Sequence, residues 1–206
     1  MNIFSVLRNC IWKVFHRIHC NSVKKNLHNA NFSIVCNNCV GAMVMHDLGQ
    51  RLNTPTVNLF IKPDDYIEFL SHFDDYLKAD ITDITGNNEY PIGLLGGKIH
   101  LYFMHYKNFE EAKSAWMRRR GRINKDNLYV VFVERDGCKA ENLQSFDNLP
   151  YKNKVALVHK PYPDIRCAFV FPGYKNAGEV GFITDSTRWT GKHIYDKFNW
   201  VKFLNE

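Results

Sequence analysis

Six consecutive residues, Leu128 to Val133 (LYVVFV), are apolar or aromatic throughout. A strand of that composition has no face to offer water, so other layers must cover it on both sides. Further strands are expected over Phe32 to Cys36 (FSIVC), Pro55 to Ile61 (PTVNLFI), Lys98 to His105 (KIHLYFMH), Val155 to His159 and Cys167 to Phe171, all rich in β-branched or large apolar residues.

Helical patterns alternate with these runs. One opens near Cys39, after Asn37 and Asn38 break the strand, and closes at Gly49, a residue suited to a left-handed C-cap. A second starts at Asp64, with Tyr66, Ile67, Leu70, Phe73 and Leu77 on its buried face. Asn108 and Glu111 have the form of a capping box that begins a helix to about Gly121. Lys139 to Leu149 and Asp185 to Leu204 complete the set, while Ile81 to Gly97 reads as loops with at most short edge strands. The alternation predicts a three-layer α/β fold with a mainly parallel sheet flanked by helices. At 206 residues and 45% apolar content, the chain divides into an N-terminal helical segment, 1–30, and a single α/β domain, 31–206.

Charge separates the same two parts. Of a formal net charge of +6, residues 1–30 carry +5, through Arg8, Lys13, Arg17, Lys24 and Lys25 with no acid, and the rest of the chain carries +1. In the basic segment Phe4, Leu7, Ile11, Trp12, Phe15 and Ile18 recur at helical spacing, the pattern of a basic amphipathic helix. Such a helix suits an anionic membrane surface, through residues 1–25, or docks by its apolar stripe on its own domain or a partner. Its basic residues interrupt any signal-like apolar run, and six scattered cysteines suit a reducing compartment. The expected setting is cytoplasmic, peripheral on the inner membrane face if the helix binds lipid. A neutral body argues against a nucleic acid partner.

In a parallel sheet, ligands sit beyond the carboxyl ends of the strands, and the reactive residues fall where those ends are expected. Cys39 follows Asn37 and Asn38 at a helix start, where free backbone N–H groups favour a thiolate. It is either a nucleophile or a small buried residue that closes the turn. His105 and His159 are the preferred bases, with His46 a third candidate. Arg135 and Asp136 follow the LYVVFV run, and Lys160 follows His159. Asp136 reads either as an acid–base group or as Arg135's partner in a turn at Gly137. Arg118, Arg119, Arg120 and Arg122 suit a phosphate-rich ligand or ion pairs with nearby acids, and Asn124 and Asn127 suit a sugar hydroxyl or a turn. Cys36 and Cys39 form a lone C-x-x-C, but Cys36 should face the core and other ligands are scattered, so no metal is expected.

The ordered pieces NNCVGAMVMHDLG, NTPTVNLFI, DDYIEFL, YPIGLL, HYKNFEEAKSAWMRRRGRIN, DNLYVVFVERDGC and LPYKNKVALVHKPYP resemble a bacterial family of uncharacterised function. That family is usually labelled exopolysaccharide biosynthesis protein and is found in capsule and exopolysaccharide gene clusters. The resemblance covers about residues 32–163. It implies a pathway and leaves the reaction open. Members often carry a Gly-Gly pair and a tyrosine where this chain has Gly41-Ala42 and Met45-His46. The Asn-Cys turn also loosely resembles that of another capsule-biosynthesis family, one that binds coenzyme A. The expectation is a transferase that moves an acyl group from a CoA-type donor, not tightly bound, to a hydroxyl of a sugar or glycan-lipid. Cys39 would attack the acyl carbonyl, or act near it, with Asn38 and backbone N–H groups on the oxyanion and a histidine moving protons. Two other expectations compete: a glycosyltransferase that holds a nucleotide diphosphate with Arg135, Asp136 and the arginines, and a non-catalytic membrane-recruited assembly factor.

Overall fold

In this computed structural model the chain is described over residues 3–187 and 189–206, with side chains from Arg8 onward. Its elements begin with α1 (Ile3–Lys25), β1 (Ser33–Cys36), α2 (Val40–Asp47), α3 (Pro63–Ser71), α4 (Phe73–Lys78), β2 (Ile81–Asp83), β3 (Ile92–Leu95) and β4 (Ile99–Tyr102). They continue with α5 (Phe109–Arg120), β5 (Leu128–Val133), α6 (Ala140–Asn148), β6 (Asn153–Val158), β7 (Ala168–Val170), a 3-10 turn at Ile194–Lys197 and α7 (Trp200–Asn205).

β1, β5, β6 and β7 form a parallel sheet in the order β1-β5-β6-β7. Successive side chains alternate between two cores, as a strand's period of two requires. Val35, Val130, Phe132, Ala156 and Val158 enter the first core, with Tyr66 and Phe69 of α3, Trp116 of α5 and Phe146 of α6. Ile34, Cys36, Tyr129, Val131, Val133 and Leu157 enter the second, with Val40, Val44 and Met45 of α2 and Trp200 and Leu204 of α7. Each such side chain, fully buried, stabilises the fold by about 1.5–3 kcal/mol. The three-layer α/β expectation therefore holds, and β5 is central because it has a strand on either side.

Several local expectations are corrected. Ile81 to Gly97 contributes two strands, β2 and β3, which join β4 in a separate antiparallel sheet of order β2-β3-β4. Pro55 to Ile61 is an extended loop in which only Phe60 pairs, with Tyr102. Pro55 has no N–H to donate, and the Val57 N–H turns back to the Pro55 carbonyl at 2.8 Å. This loop instead covers the free edge of β1. Ser33 Oγ donates to Asn53 O (2.6 Å), the Cys36 N–H to Thr56 Oγ1 (3.2 Å) and the Ile61 N–H to Asn37 O (2.8 Å). The expected closing helix over Asp185 to Leu204 forms only at its end. Ser186 pairs with His193, and Gly191 takes φ +68°, which no regular helix accommodates.

α1 docks on the second core by only part of the expected stripe, Ile11 and Trp12, which are half-buried. Trp12, His16, His19, Cys20 and Val23 turn inward, while Val14, Phe15 and Ile18 are exposed. Phe4 and Leu7 of that stripe lie outside the described side chains. Among the described residues no helix is long and apolar enough to cross a membrane.

Candidate functional site

The carboxyl ends of β1, β5 and β6 bring together Asn37, Asn38 and Cys39, then Glu134, Arg135 and Asp136, then His159 and Lys160. Asn37 is fully buried and acts as a clasp. Its amide donates to Val133 O (3.0 Å) and accepts from the Val133 N–H (2.9 Å), which extends the β1–β5 ladder by one side chain. Asn38 Oδ1 accepts the Val40 N–H at 3.1 Å and so satisfies one donor of the first turn of α2. Cys39 sits at the N-cap with its Sγ 3.7 Å from the Leu59 carbonyl. Burial pushes its thiol up, and the Leu59 and Asn58 backbone and the charge of Arg135 offset this only in part. The expected thiolate is thus held in its neutral form.

Glu134, 2% exposed, is the hub of this edge. Its Oε2 accepts the His159 backbone N–H at 2.6 Å and lies 2.7 Å from His159 Nδ1, and its Oε1 accepts the Tyr162 hydroxyl at 2.5 Å. The backbone of Glu134 adds a bond to Leu157 O (3.0 Å) and takes one from the Val180 N–H (2.8 Å). Burial and then Glu134 push the Tyr162 hydroxyl up, so it stays a donor. Nδ1–H of His159 points at the carboxylate, and Nε2 has no hydrogen bond among the described residues, yet is not sealed from solvent. A carboxylate that fixes one ring nitrogen and leaves the other free is the geometry of a general base. Cys138 is a neutral neighbour of this pair, its thiol pushed to about 12 by burial and by Glu134, Asp64 and Glu179.

Arg135 and Asp136 pair with each other, Nε to Oδ2 at 3.0 Å, and the Arg135 guanidinium lies 4.3 Å over the Phe182 ring. Asp136 has φ +58° and its N–H donates to Glu179 Oε2 at 3.0 Å, so it shapes the turn before Gly137. Lys160 is exposed, with Nζ 5.5 Å from the Tyr162 ring. Cys39 and His159 leave strands two places apart in the sheet, roughly 10 Å at the backbone. With Cys39 turned to Leu59 and His159 to Glu134, they do not form a thiol–imidazole pair.

Other expected members lie elsewhere. His105 follows β4 of the antiparallel sheet and is exposed, because that strand pairs with the turn-rich segment before it rather than with β5. His46 is exposed on α2 beside Asp47. The arginine segment sits at the opposite, amino edge, because α5 ends immediately before β5 begins. There Asn124 donates to Ser33 Oγ (3.0 Å) and Asn31 O (2.7 Å), and Asn127 to Asn29 Oδ1 (2.7 Å). Arg119 reaches the Tyr106 hydroxyl (2.6 Å) and Arg120 the Ala79 carbonyl (2.7 Å). Desolvation and the charges of Arg51, Arg118 and Arg119 pull Arg122 down, which marks a basic patch on this far edge. The sequence places Glu134 at the strand end beside Arg135 and Asp136 without giving it a role, and does not single out Tyr162. Glu134 was visible as the first polar residue after the central strand, whereas Tyr162 carried no local signal.

The profile of a domain of unknown function (DUF1919) matches residues 11–205. A protein of Haemophilus influenzae, described as an uncharacterized protein, is 36% identical over 205 residues, which span 100% of this chain and 99% of that protein. Both matches run through the docked part of α1 as well as the sheet.

Proposed function

This chain belongs to the DUF1919 family, and we propose that it is a transferase of bacterial exopolysaccharide or capsule synthesis, moving an acyl group from a CoA-type thioester to a sugar hydroxyl with His159 as base. One observation carries the reaction class: Glu134 holds Nδ1 of His159 at 2.7 Å and leaves Nε2 free at the strand-end edge. The polysaccharide setting is supported by the ordered resemblance over residues 32–163.

In the step we envisage, the acceptor hydroxyl gives its proton to His159 Nε2 as its oxygen attacks the thioester carbonyl. The C–O bond forms, the C–S bond breaks, and the proton passes to the departing CoA thiolate. Glu134 stabilises the transient imidazolium, and Tyr162 holds Glu134 in place. Arg135 and Lys160, at the same edge, supply positive charge for the donor's phosphates. The donor binds as a dissociating substrate, which suits a cytoplasmic protein at the inner face of the membrane.

The full chain incubated with acetyl-CoA and a panel of oligosaccharide and glycan-lipid acceptors, followed by mass spectrometry, tests this. His159→Asn should lower the rate by about 10²–10⁴-fold, and Cys39→Ser should leave it within about threefold. Transfer lost in the cysteine variant and kept in the histidine variant would replace this mechanism with a covalent relay through Cys39. No transfer to any acceptor would remove the reading, and binding of nucleotide sugars in its place would favour glycosyl transfer.

A further inference from the structure

A second histidine–carboxylate group lies beneath α1, apart from the strand-end edge. His16 Nε2 is 3.2 Å from Asp47 Oδ1. One ligand atom each from His16, Asp47 and His193 all lie within 4.8 Å of one another, on residues that are half-buried. Both rings are oriented from behind. His16 Nδ1 lies 2.8 Å from the Gly191 carbonyl, and His193 Nδ1 lies 2.8 Å from the Thr184 carbonyl. A carbonyl only accepts, so each ring carries a proton on Nδ1 and has Nε2 left for another partner. Histidines that bind metals are oriented in this way. Trp12 stacks on His16 with ring centres 4.5 Å apart, Tyr195 stacks on His193 at 4.8 Å, and the Tyr195 hydroxyl donates to Asp47 Oδ2.

With Nδ1–H committed, His16 Nε2 and Asp47 Oδ1 face each other as two acceptors, which repel unless a positive charge lies between them. A second proton on His16 would satisfy that pair alone, whereas a cation satisfies all three residues. Two ligands of one tetrahedral zinc ion, at bond lengths of about 2.0–2.1 Å, stand about 3.3 Å apart, close to the distance found. Cys20 Sγ lies 3.6 Å from the same His16 nitrogen but outside the three-residue cluster, so it offers that nitrogen only a weak S–H donor. Beside the cluster opens a cleft of about 270 Å³, lined in part by His19, Asp47, Tyr195 and Asp196, which gives an ion a way in.

We propose that His16, Asp47 and His193 bind a divalent transition metal of the zinc class, and that the metal fastens α1 to the body of the protein. The three ligands come from α1, the end of α2 and the loop before the 3-10 turn, so the ion cross-links segments that no hydrogen-bond ladder joins. The site shares no residue with the transferase reading and stands or falls separately.

The test uses the full chain, stripped with a chelator and titrated with Zn²⁺ by calorimetry and with Co²⁺ by visible absorption. One equivalent should bind, cobalt should show tetrahedral d–d bands, and zinc should raise Tm relative to the stripped protein. His16→Gln and His193→Gln should each weaken binding by at least about 100-fold, while the exposed His105→Gln changes nothing. The wild-type Tm comparison needs no variant, so a poorly folding mutant does not leave the question open. Binding of less than one equivalent, no Tm rise under excess zinc, or wild-type affinity in the two histidine variants would reduce the cluster to an ion pair.

Discussion

Glu134 with His159, and Asp47 with His16 and His193, are made of the same groups and assembled in opposite ways. The first is delivered by a short stretch, His159 to Tyr162, that follows the strand next to Glu134. Its three donors reach the carboxylate because sheet register puts them there. The second needs three segments distant in the chain, and among the described residues its inward His16 nitrogen meets only the weak Cys20 S–H donor. A carboxylate saturated by its own fold can hold a proton acceptor ready without a ligand. A cluster that is satisfied only in part is suited to being completed from outside.

The largest effect should come from cutting the saturated cluster. Glu134→Ala leaves the His159 N–H groups and the Tyr162 hydroxyl buried without an acceptor, and should cost about 3–5 kcal/mol in urea unfolding. A loss below about 1 kcal/mol would mean that the hub is not built into the fold as the distances imply. Next is Gly191→Ala, which acts on the other cluster without replacing a ligand. Gly191 has φ +68°, and a Cβ there would stand 2.2 Å from the Phe15 carbonyl carbon and 2.3 Å from the His16 nitrogen. Backbone cannot yield as a side chain tip can, so α1 should be released at a cost of about 3 kcal/mol. Trypsin should then cut at Lys13 and Arg17 about 100-fold faster, with cleavage elsewhere unchanged. Equal rates would show that α1 is not held by this contact.

The sequence told of these two regions unequally. The apolar runs at residues 32–36, 128–133, 155–159 and 167–171 required cover on both faces. That requirement was enough to give the parallel sheet and to put Asn37, Cys39, Asp136 and His159 at one edge. Some of the arginines at 118–122 are expected at the strand-end edge and the others in solvent, but the sequence holds the reason why the segment lies at the other edge: a helix that runs into a parallel strand must end at that strand's amino side. Pro55 to Ile61 has strand composition, but a proline and the Thr56 hydroxyl that accepts the Cys36 N–H make it an edge cover. His105 was misassigned because the antiparallel partner of its strand hides in a glycine-rich stretch. The cluster of His16, Asp47 and His193 had no signal at all, since no local spacing links residues so far apart. The stripe of Phe15 and Ile18 pointed attention to the face of α1 that is in fact exposed.

A third buried carboxylate calibrates the comparison. Asp147 accepts the Cys167 N–H at 2.9 Å and pairs with Arg166 Nε at 3.0 Å. Burial alone would raise its pKa, but these hydrogen bonds outweigh it and hold the carboxyl at about 2, against an ordinary 3.8. Because the folded value is the lower one, this stabilisation is complete above the unfolded value and is lost as pH falls from about 4 to about 2. The loss should be about 2 kcal/mol. Urea midpoints across that range should fall in the wild type and flatten in Asp147→Asn. A slope unchanged by the variant would assign the acid sensitivity to other carboxylates.

The smallest effect is expected at the residue whose sequence setting looked most reactive. Cys39 rests against the Leu59 carbonyl, two strands from His159, with its thiol pushed up by burial. The helix start that should have drawn out a thiolate is already served by Asn38, whose side chain takes the Val40 N–H. Cys39→Ser exchanges the thiol for a smaller hydroxyl that can still donate to the Leu59 carbonyl, and should change stability by less than about 1 kcal/mol. Alkylation by iodoacetamide should be slow at Cys39 and fast at the exposed Cys10. Faster labelling of Cys39 than of Cys10 at neutral pH would mean that the turn opens to a thiolate. Direct attack by the acceptor hydroxyl would then give way to a covalent relay through Cys39.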